Sequence, residues 1–438
     1  MSERYIAAVE ISSSKIIASI GKTSVEGQLE VVAMEEESTL DVVKYGIIQN
    51  PEETSIRVSR LLSRLENRPE VSPRKIKSVF VGLSGRSLKS ITTEVSLNLP
   101  EDTEITEDLI RRLREDAKRK AIDNTLEVID AVPRIYTVGK TETHSPKGAI
   151  GNYIEATYDL IVCRPELKRN LTRTIPDKLG IKIEGFVVTA LATGHLILTP
   201  DEKRLGCMLV DMGAETTTVS IYKKGGLRYF ATLPFGGRNI TRDITSLNVL
   251  EEKAEQIKQT YGNAMGADII SPSNINGIKQ SDINNLVVAR SEEIVANIME
   301  QIEYADLKET DLPGAIICIG GSARLQGMLD LLEQQSGLPV RRGQMPGYVH
   351  VDESLYTSKN MLQVVSVLYA GATLSKQECL EMPVIEEVPS AGEVPVVEEP
   401  IVRGREVKKK RTNRFMEGIA RRIGSIFSGP EDDSELME

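Results

Sequence analysis

The chain has 438 residues, with 54 Lys and Arg against 64 Asp and Glu, for a formal charge of −10. That length accommodates two or three domains of roughly 150 residues each, and the acidic balance, with no basic clamp in the body, excludes a general nucleic-acid binder. Cys163, Cys207, Cys318 and Cys379 are far apart and form no CxxC pair, and only three His accompany them; a disulfide framework or a zinc site is excluded, and the pattern fits a reducing compartment.

Glu3, Arg4 and Glu10 break the first apolar stretch, so no signal peptide is expected. In chain order, apolar β-rich runs predict strands at Tyr5–Val9 and Lys15–Ile20, and helical periodicity predicts a helix over Ser55–Leu65. A strand at Ser78–Leu83, a helix over Glu107–Ala121 and a strand at Tyr158–Cys163 follow. Then come strands at Gly206–Val210 and Thr217–Tyr222, helices over Glu251–Tyr261 and Ile283–Tyr304, and a strand at Ala315–Ile319. In the long helix, Ile283, Leu286, Val287, Ile294, Val295, Ile298 and Ile302 make one stripe, the signature of core packing. No apolar run approaches the ~20 residues that cross a bilayer. The nearest, Leu362–Leu374, is too short and contains Gln363; it reads as a buried helix. The alternation defines an α/β protein.

Composition changes after Lys376. Residues 377–402 hold seven Glu and no Lys or Arg, and such a segment is expected to form an extended linker. From Arg403 to Arg422, nine Lys or Arg face only Glu406 and Glu417, and the final residues turn acidic again.

Two segments about 200 residues apart share one pattern. The first runs Ala8-Val9-Glu10-Ile11-Ser12-Ser13-Ser14-Lys15-Ile16-Ile17-Ala18, and the second Leu209-Val210-Asp211-Met212-Gly213-Ala214-Glu215-Thr216-Thr217-Thr218-Val219. Each is an apolar strand ending in a carboxylate, a tight turn of small or hydroxyl residues, and a second strand. A further turn, Glu26-Gly27 or Gly225-Gly226, leads to a third strand. Small residues let backbone N–H groups approach phosphate oxygens. A strand-end carboxylate, Glu10 or Asp211, can hold Mg²⁺ through water, and Lys15 can reach a phosphate as a point charge. Either loop alone reads as an ordinary hairpin; the matched pair points to a phosphate clamp.

A third element, Ala315-Ile316-Ile317-Cys318-Ile319-Gly320-Gly321-Ser322-Ala323-Arg324-Leu325, is a buried strand, a Gly-Gly turn and a helix start. It allows close backbone approach to a ligand, although such exits are common in α/β folds. A fourth, Glu255-Gln256-Ile257-Lys258, puts Glu255 and Lys258 on one helix face; by themselves they read as a solvated ion pair.

Together, two phosphate hairpins, a Gly-Gly turn of adenosine type and an E-x-x-K helix resemble the actin, Hsp70 and sugar-kinase superfamily. Within it the chain resembles the FtsA family of bacterial cell-division proteins over nearly its whole length. Val79-Phe80-Val81-Gly82-Leu83-Ser84-Gly85, Asp130-Ala131-Val132-Pro133-Arg134-Ile135-Tyr136 and Ala315–Gly327 carry the likeness, together with the acidic linker and tail. The resemblance implies an actin-like α/β fold with two similar lobes around a nucleotide cleft. It places the first lobe and phosphate-1 hairpin at 1–84, an inserted FtsA-type subdomain at 85–152 and the first lobe continued at 153–205. The second lobe with the phosphate-2 hairpin falls at 206–236, its small subdomain at 237–309, and the adenosine motif with the return to the first lobe at 310–376. A linker at 377–412, a membrane-targeting helix at 413–428 and an acidic tail at 429–438 complete the plan.

The resemblance further implies ATP and Mg²⁺ as ligands. Ser12, Ser13, Ser14 and Lys15 would bind phosphates from the first hairpin; Asp211, Gly213, Ala214, Glu215, Thr216 and Thr217 belong to the second. Glu255 and Lys258 would approach ribose or base, and Gly320, Gly321, Ser322 and Arg324 would line the adenosine side. Glu10 and Asp211 would hold Mg²⁺ through water. The implied partners are the C-terminal peptide of the tubulin-like protein FtsZ, docking on the small subdomain, further copies of the chain in a filament, and other division-machinery proteins. Arg290 matches a basic position of that docking surface; it reads equally as an ordinary exposed Arg.

Several positions depart from the pattern. Ser12 stands where Gly is usual, which is costly if the position needs φ > 0. Ala214 and Glu215 replace glycines, and Glu215 brings negative charge near phosphate unless it turns away or faces the metal. Phe186–Gly194 resembles the connecting helix, but its start is apolar, where relatives place a Gln or Glu to orient water. At most slow ATP hydrolysis is expected, and no catalytic residue is assigned.

Asn413–Ser428 carries a clear amphipathic pattern. Phe415, Met416, Ile419, Ala420, Ile423, Ile426 and Phe427 fall within an arc of about 140°, with Arg414, Arg421 and Arg422 opposite. This is the pattern of a helix lying in an anionic membrane surface; docking on the protein's own core or on a partner is the alternative. The expected location is the cytoplasmic face of the inner membrane at the division site. Rival readings are a sugar- or acetate-kinase phosphotransferase and an actin-like pilus-assembly scaffold, while too little chain follows the body for an Hsp70-type peptide-binding module.

Overall fold

The computed structural model describes residues 3–24, 28–266, 274–275, 277–352, 355 and 361–383. The expected membrane helix, with Phe415, Met416, Ile419, Arg421, Arg422, Ile423, Ile426 and Phe427, lies outside the described residues, as does Glu26-Gly27.

The first lobe begins with β1 (Arg4–Ile11), β2 (Lys15–Thr23) and β3 (Leu29–Ser38), then α1 (Pro51–Glu66) and β4 (Ser78–Leu83). Helix α1 starts where Asn50 caps the Glu53 N–H at 3.1 Å and Pro51 presets the first turn. Val58, Leu61, Leu62 and Leu65 then recur at helical spacing and are buried against the sheet.

An insertion follows, made of β5 (Lys89–Glu104), α2 (Glu107–Lys118), β6 (Glu127–Val138) and β7 (Ile150–Cys163). It has its own core, including Leu113, Ala131, Ile154, Tyr158, Leu160 and Val162. The expected end at 152 falls inside β7, whose later residues still alternate into that core. Helix α2 stops at Lys118 rather than Ala121: the Lys120 N–H bonds the Ala117 carbonyl, three residues back, so the last turn tightens out of the α-helical ladder.

The chain returns to the first lobe through α3 (Pro165–Thr174), β8 (Lys182–Val188) and α4 (Thr189–Ile197). Phe186–Val188, expected to open the connecting helix, instead finish β8, paired in parallel with β4; the helix begins only at Thr189.

The second lobe carries β9 (Cys207–Met212), β10 (Thr217–Lys223), β11 (Gly226–Leu233), α5 (Gly237–Thr245), α6 (Glu251–Tyr261) and α7 (Gln280–Tyr304). It continues with β12 (Ile316–Ile319), α8 (Met328–Ser336) and β13 (Val340–Arg342); β14 (Val349–Val351) and α9 (Met361–Leu374) then return to the first lobe. The α7 stripe is buried as expected, except that Leu286 stands beside it, half-exposed. Helix α9 is the expected buried helix; Val364, Val365, Val367 and Leu368 join the first-lobe core.

The two sheets repeat one topology. In the first, β3-β2-β1-β4-β8 are neighbours, with β14 beside β3; in the second the matching run is β11-β10-β9-β12-β13. In both, the first three strands are antiparallel and the last two join in parallel. The insertion's strands extend the second sheet through a short pairing of Lys89 on β5 with Ala231 on β11.

The linker does not begin at 377. Cys379 and Leu380 are buried, Leu380–Glu381 pair with Lys75–Ile76, and the Cys379 N–H donates to the Tyr5 carbonyl at 2.8 Å. Two apolar residues thus add a final rung to the first lobe ahead of the acidic run. All four cysteines are free and buried, and no helix among the described residues is long and apolar enough to cross a membrane.

Candidate functional site

Each half presents the end of its first hairpin to a common cleft of about 1130 Å³. Glu10, Ser12, Ser13, Ser14 and Lys15 line it from the first lobe, and Asp211, Gly213, Ala214, Glu215 and Thr216 from the second. Glu255, Lys258, Gly320, Gly321, Ser322 and Arg324 close a further side. Of the expected nucleotide residues only Thr217 is absent. It opens β10, is fully buried, and its hydroxyl donates to the Phe235 carbonyl at 2.9 Å. Side chains alternate along a strand, so Thr218, not Thr217, faces the cleft, sharing a 3.1 Å hydrogen bond with Thr232.

The first loop is a tight hairpin turn. The Ser12 N–H donates to the Lys15 carbonyl at 2.9 Å, and the Ser12 hydroxyl reaches the same oxygen at 3.0 Å. Ser12 is not among the positive-φ residues, so this position does not demand Gly and Ser carries no backbone cost. In the second loop, a side chain on Gly213 would meet the Thr216 carbonyl at 2.8 Å. Gly320 adopts φ +90°, and a Cβ there would press on the Met212 carbonyl and stand 2.7 Å from Asp211 Oδ1. This is the close approach the Gly-Gly turn requires.

The two strand-end carboxylates meet in this cleft. Glu10 is buried; it accepts from Ser84 at 2.9 Å and from Thr189 at 2.7 Å. Burial, with Asp211 adding repulsion, raises its pKa to about 7 despite those bonds. Burial also raises Asp211, to about 6, and only the Gln363 amide at 3.2 Å opposes the shift. Neither carboxylate has a cationic partner among the described residues.

Glu215 turns away from the cleft's centre. It is buried and accepts from Arg238 at 3.0 Å, from Arg242 at 3.2 Å and from the Tyr45 backbone N–H of the first lobe at 2.6 Å. Its charge is neutralised by two guanidinium groups, so it does not repel a phosphate. Glu255 and Lys258 form more than a solvated pair. Lys258 donates to Glu255 at 2.7 Å, to the Gly237 carbonyl at 3.0 Å and to Thr241 at 3.0 Å, and Thr241 donates to Glu255. Burial lowers the Lys258 pKa, and although burial pushes Glu255 upward, Lys258 draws it below the usual carboxylate range. Ser322 donates to the Gly213 carbonyl at 2.6 Å, tying the adenosine-type turn to the second hairpin.

Arg290 lies on α7, outside the cleft-lining set. Its guanidinium pairs with Asp243 at 2.6 Å and with Glu293. Residues not anticipated in the cleft include Lys44, Gly46, Ser84, Gly237, Arg238, Arg242 and Gln363. The Gly236-Gly237 pair opening α5 is a signal that could have been read; a lone Gln in an apolar helix is not.

Paired halves with phosphate-type hairpins across a cleft define the actin-like fold. The PilM–PilN type IV pilus biogenesis complex shares it, with a TM-score of 0.57 and 16% identity over 84% of this chain and 97% of that one. The sequence narrows the class. Residues 208–359 match the family described as "Cell division protein FtsA", and residues 85–162 match the "SHS2 domain inserted in FTSA". A Cell division protein FtsA of Porphyromonas gingivalis is 25% identical over 93% of this chain and 88% of its own length. One of Bacillus subtilis is 28% identical over 72% and 73%. The chain belongs to the FtsA family of cell division proteins.

Proposed function

We propose that the chain is an ATP-binding division protein that tethers FtsZ filaments to the inner face of the cytoplasmic membrane. The observation that carries the nucleotide reading is the pair of carboxylates, buried Glu10 and part-buried Asp211, brought into one cleft from matching hairpins without a cationic partner among the described residues. Two acids raised by burial, with Asp211 adding repulsion at Glu10, are a poor arrangement for an empty protein and a good one for a divalent ion. No group of three or more potential ligands converges among the described residues. That suits Mg²⁺, which keeps most of its waters and takes one or two carboxylates plus phosphate oxygens. Glu10 and Asp211 would hold it; when bound, it neutralises phosphate charge. The Ser12–Ser14 and Gly213–Thr216 loops would receive the phosphates, and Gly320, Gly321 and Arg324 the nucleoside side.

Hydrolysis is expected to be slow. Thr189 occupies the start of the connecting helix, and its hydroxyl is engaged by Glu10. Nucleotide would act chiefly on shape and on self-association into filaments. The tail would anchor the body to an anionic membrane, with linked tails adding avidity. The FtsZ C-terminal peptide would dock on the small subdomain at 237–309, where Arg290 contributes through its Asp243 pair. Calorimetric titration of the full chain with ATP, with and without Mg²⁺, tests the nucleotide reading: saturable binding strengthened by Mg²⁺ is expected, and no heat at millimolar ATP would remove it.

A further inference from the structure

Between β3 and α1 the chain makes a miniature hairpin, Val43–Lys44 paired with Ile47–Ile48. Its turn residues Tyr45 and Gly46 have φ of +51° and +75°, the left-handed pair of a tight hairpin turn. The tip is pinned to both hairpin loops. The Gly46 N–H donates to the Ser13 hydroxyl at 2.8 Å, and the Tyr45 N–H donates to Glu215 at 2.6 Å. A side chain at Gly46 would meet the Ser84 carbonyl at 2.8 Å, so the turn lies directly on the first-lobe wall. Arg86 covers the Tyr45 ring at 5.1 Å.

This anchoring holds Lys44 beside the two loops, where it lines the cleft and is exposed. The other cleft cations are engaged. Lys15 pairs with Glu36 at 2.7 Å, Lys258 with Glu255, and Arg238 and Arg242 with Glu215; Arg324 also has an interaction. Lys44 makes no ion pair or side-chain hydrogen bond among the described residues.

We infer that the 43–48 hairpin is a third phosphate-binding element and that Lys44, rather than Lys15, is the lysine that meets the phosphate chain of a bound nucleotide. This rests on the nucleotide reading. An ammonium on a rigid turn gives a phosphate a charge-assisted contact without first leaving another partner. Lys15 would have to give up Glu36. Because the turn is held by Ser13 of one lobe and Glu215 of the other, Lys44 is positioned only while both contacts stand.

The test is equilibrium binding of Mg·ATP and of adenosine to the full chain and to Lys44→Met, Lys44→Arg and Lys15→Met. Lys44→Met is expected to weaken Mg·ATP binding by about 10-fold or more and to leave adenosine binding and the melting temperature of the free protein unchanged. Lys44→Arg should restore most of the affinity, and Lys15→Met should cost less than Lys44→Met. If the wild-type chain binds ATP and Lys44→Met binds it equally well, or Lys15→Met is the costlier change, the assignment to Lys44 is wrong while the nucleotide reading survives. If the wild-type chain binds no ATP, both fall.

Discussion

Asp211→Asn should make the free protein more stable while abolishing its response to Mg·ATP. In the folded chain the Asp211 pKa rises from 3.8 to about 6. That is roughly two pH units, and at about 1.4 kcal/mol per unit the ionised group costs the free protein about 3 kcal/mol at pH 7. Part of its surface opens onto the cleft, so this is a ceiling. The sign follows from linkage. Between pH 3.8 and about 6 the folded state holds a proton that the unfolded state has lost, so stability falls as pH rises through that window. Asn keeps the shape and the Gln363 contact but never ionises, so it removes this slope. Over the 383-residue body, unfolding entropy of about 2.1 cal/mol/K per residue gives about 0.8 kcal/mol/K, so the melting temperature should rise by roughly 3–4 °C. Saturating Mg·ATP at 100 times Kd stabilises a competent protein by about 2.7 kcal/mol, and the variant should lack this shift. Scanning calorimetry at pH 7 and pH 4.5, with and without Mg·ATP, reads all of this. A variant that melts lower than wild type yet gains the same ligand shift would refute the reasoning.

Glu215→Gln should destabilise the body by roughly 3 kcal/mol in urea unfolding, because it strips a buried partner from Arg238 and Arg242. Gly320→Ala places a β-carbon against the Met212 carbonyl at a left-handed position; a loss of about 2 kcal/mol or more, with weakened ATP binding, is expected by the same unfolding assay and by calorimetric titration. The pKa of Glu10, raised to about 7, should fall when Mg·ATP binds. Binding near pH 6 should therefore release protons, measurable as a buffer-dependent heat, and identical heats in all buffers would contradict it. Truncation after Glu406 should abolish co-sedimentation with anionic liposomes, and equal pelleting of both chains would remove the tether from the account.

Much of the fold is legible in the sequence because its signals are local. Tyr5–Val9, Lys15–Ile20 and Thr217–Tyr222 are apolar runs of strand length, and α6 begins and ends at the expected residues. The matched carboxylates Glu10 and Asp211 are readable because each ends such a run. What is not legible there depends on distance in the chain or on register. Thr217 and Thr218 are adjacent hydroxyls, and only the pleat of β10 decides which one faces the cleft. Glu215 looks like a repulsive charge until α5 brings Arg238 and Arg242 to it. The Lys44 hairpin has strands of two residues, too short for any periodicity. Gln363 sits inside an apolar helix and gains meaning only when α9 packs beside Asp211. Cys379 and Leu380 belong to an acidic stretch by composition, yet an open edge at Lys75–Ile76 recruits them.

The most direct test of the central claim is a crystal of the full chain grown with Mn²⁺ and a non-hydrolysable ATP analogue. The account predicts an anomalous peak beside Glu10 and Asp211, with the phosphates against the Ser12–Ser14 and Gly213–Thr216 loops. Well-ordered cleft residues with neither a metal peak nor nucleotide density, or a metal bound away from both carboxylates, would contradict it.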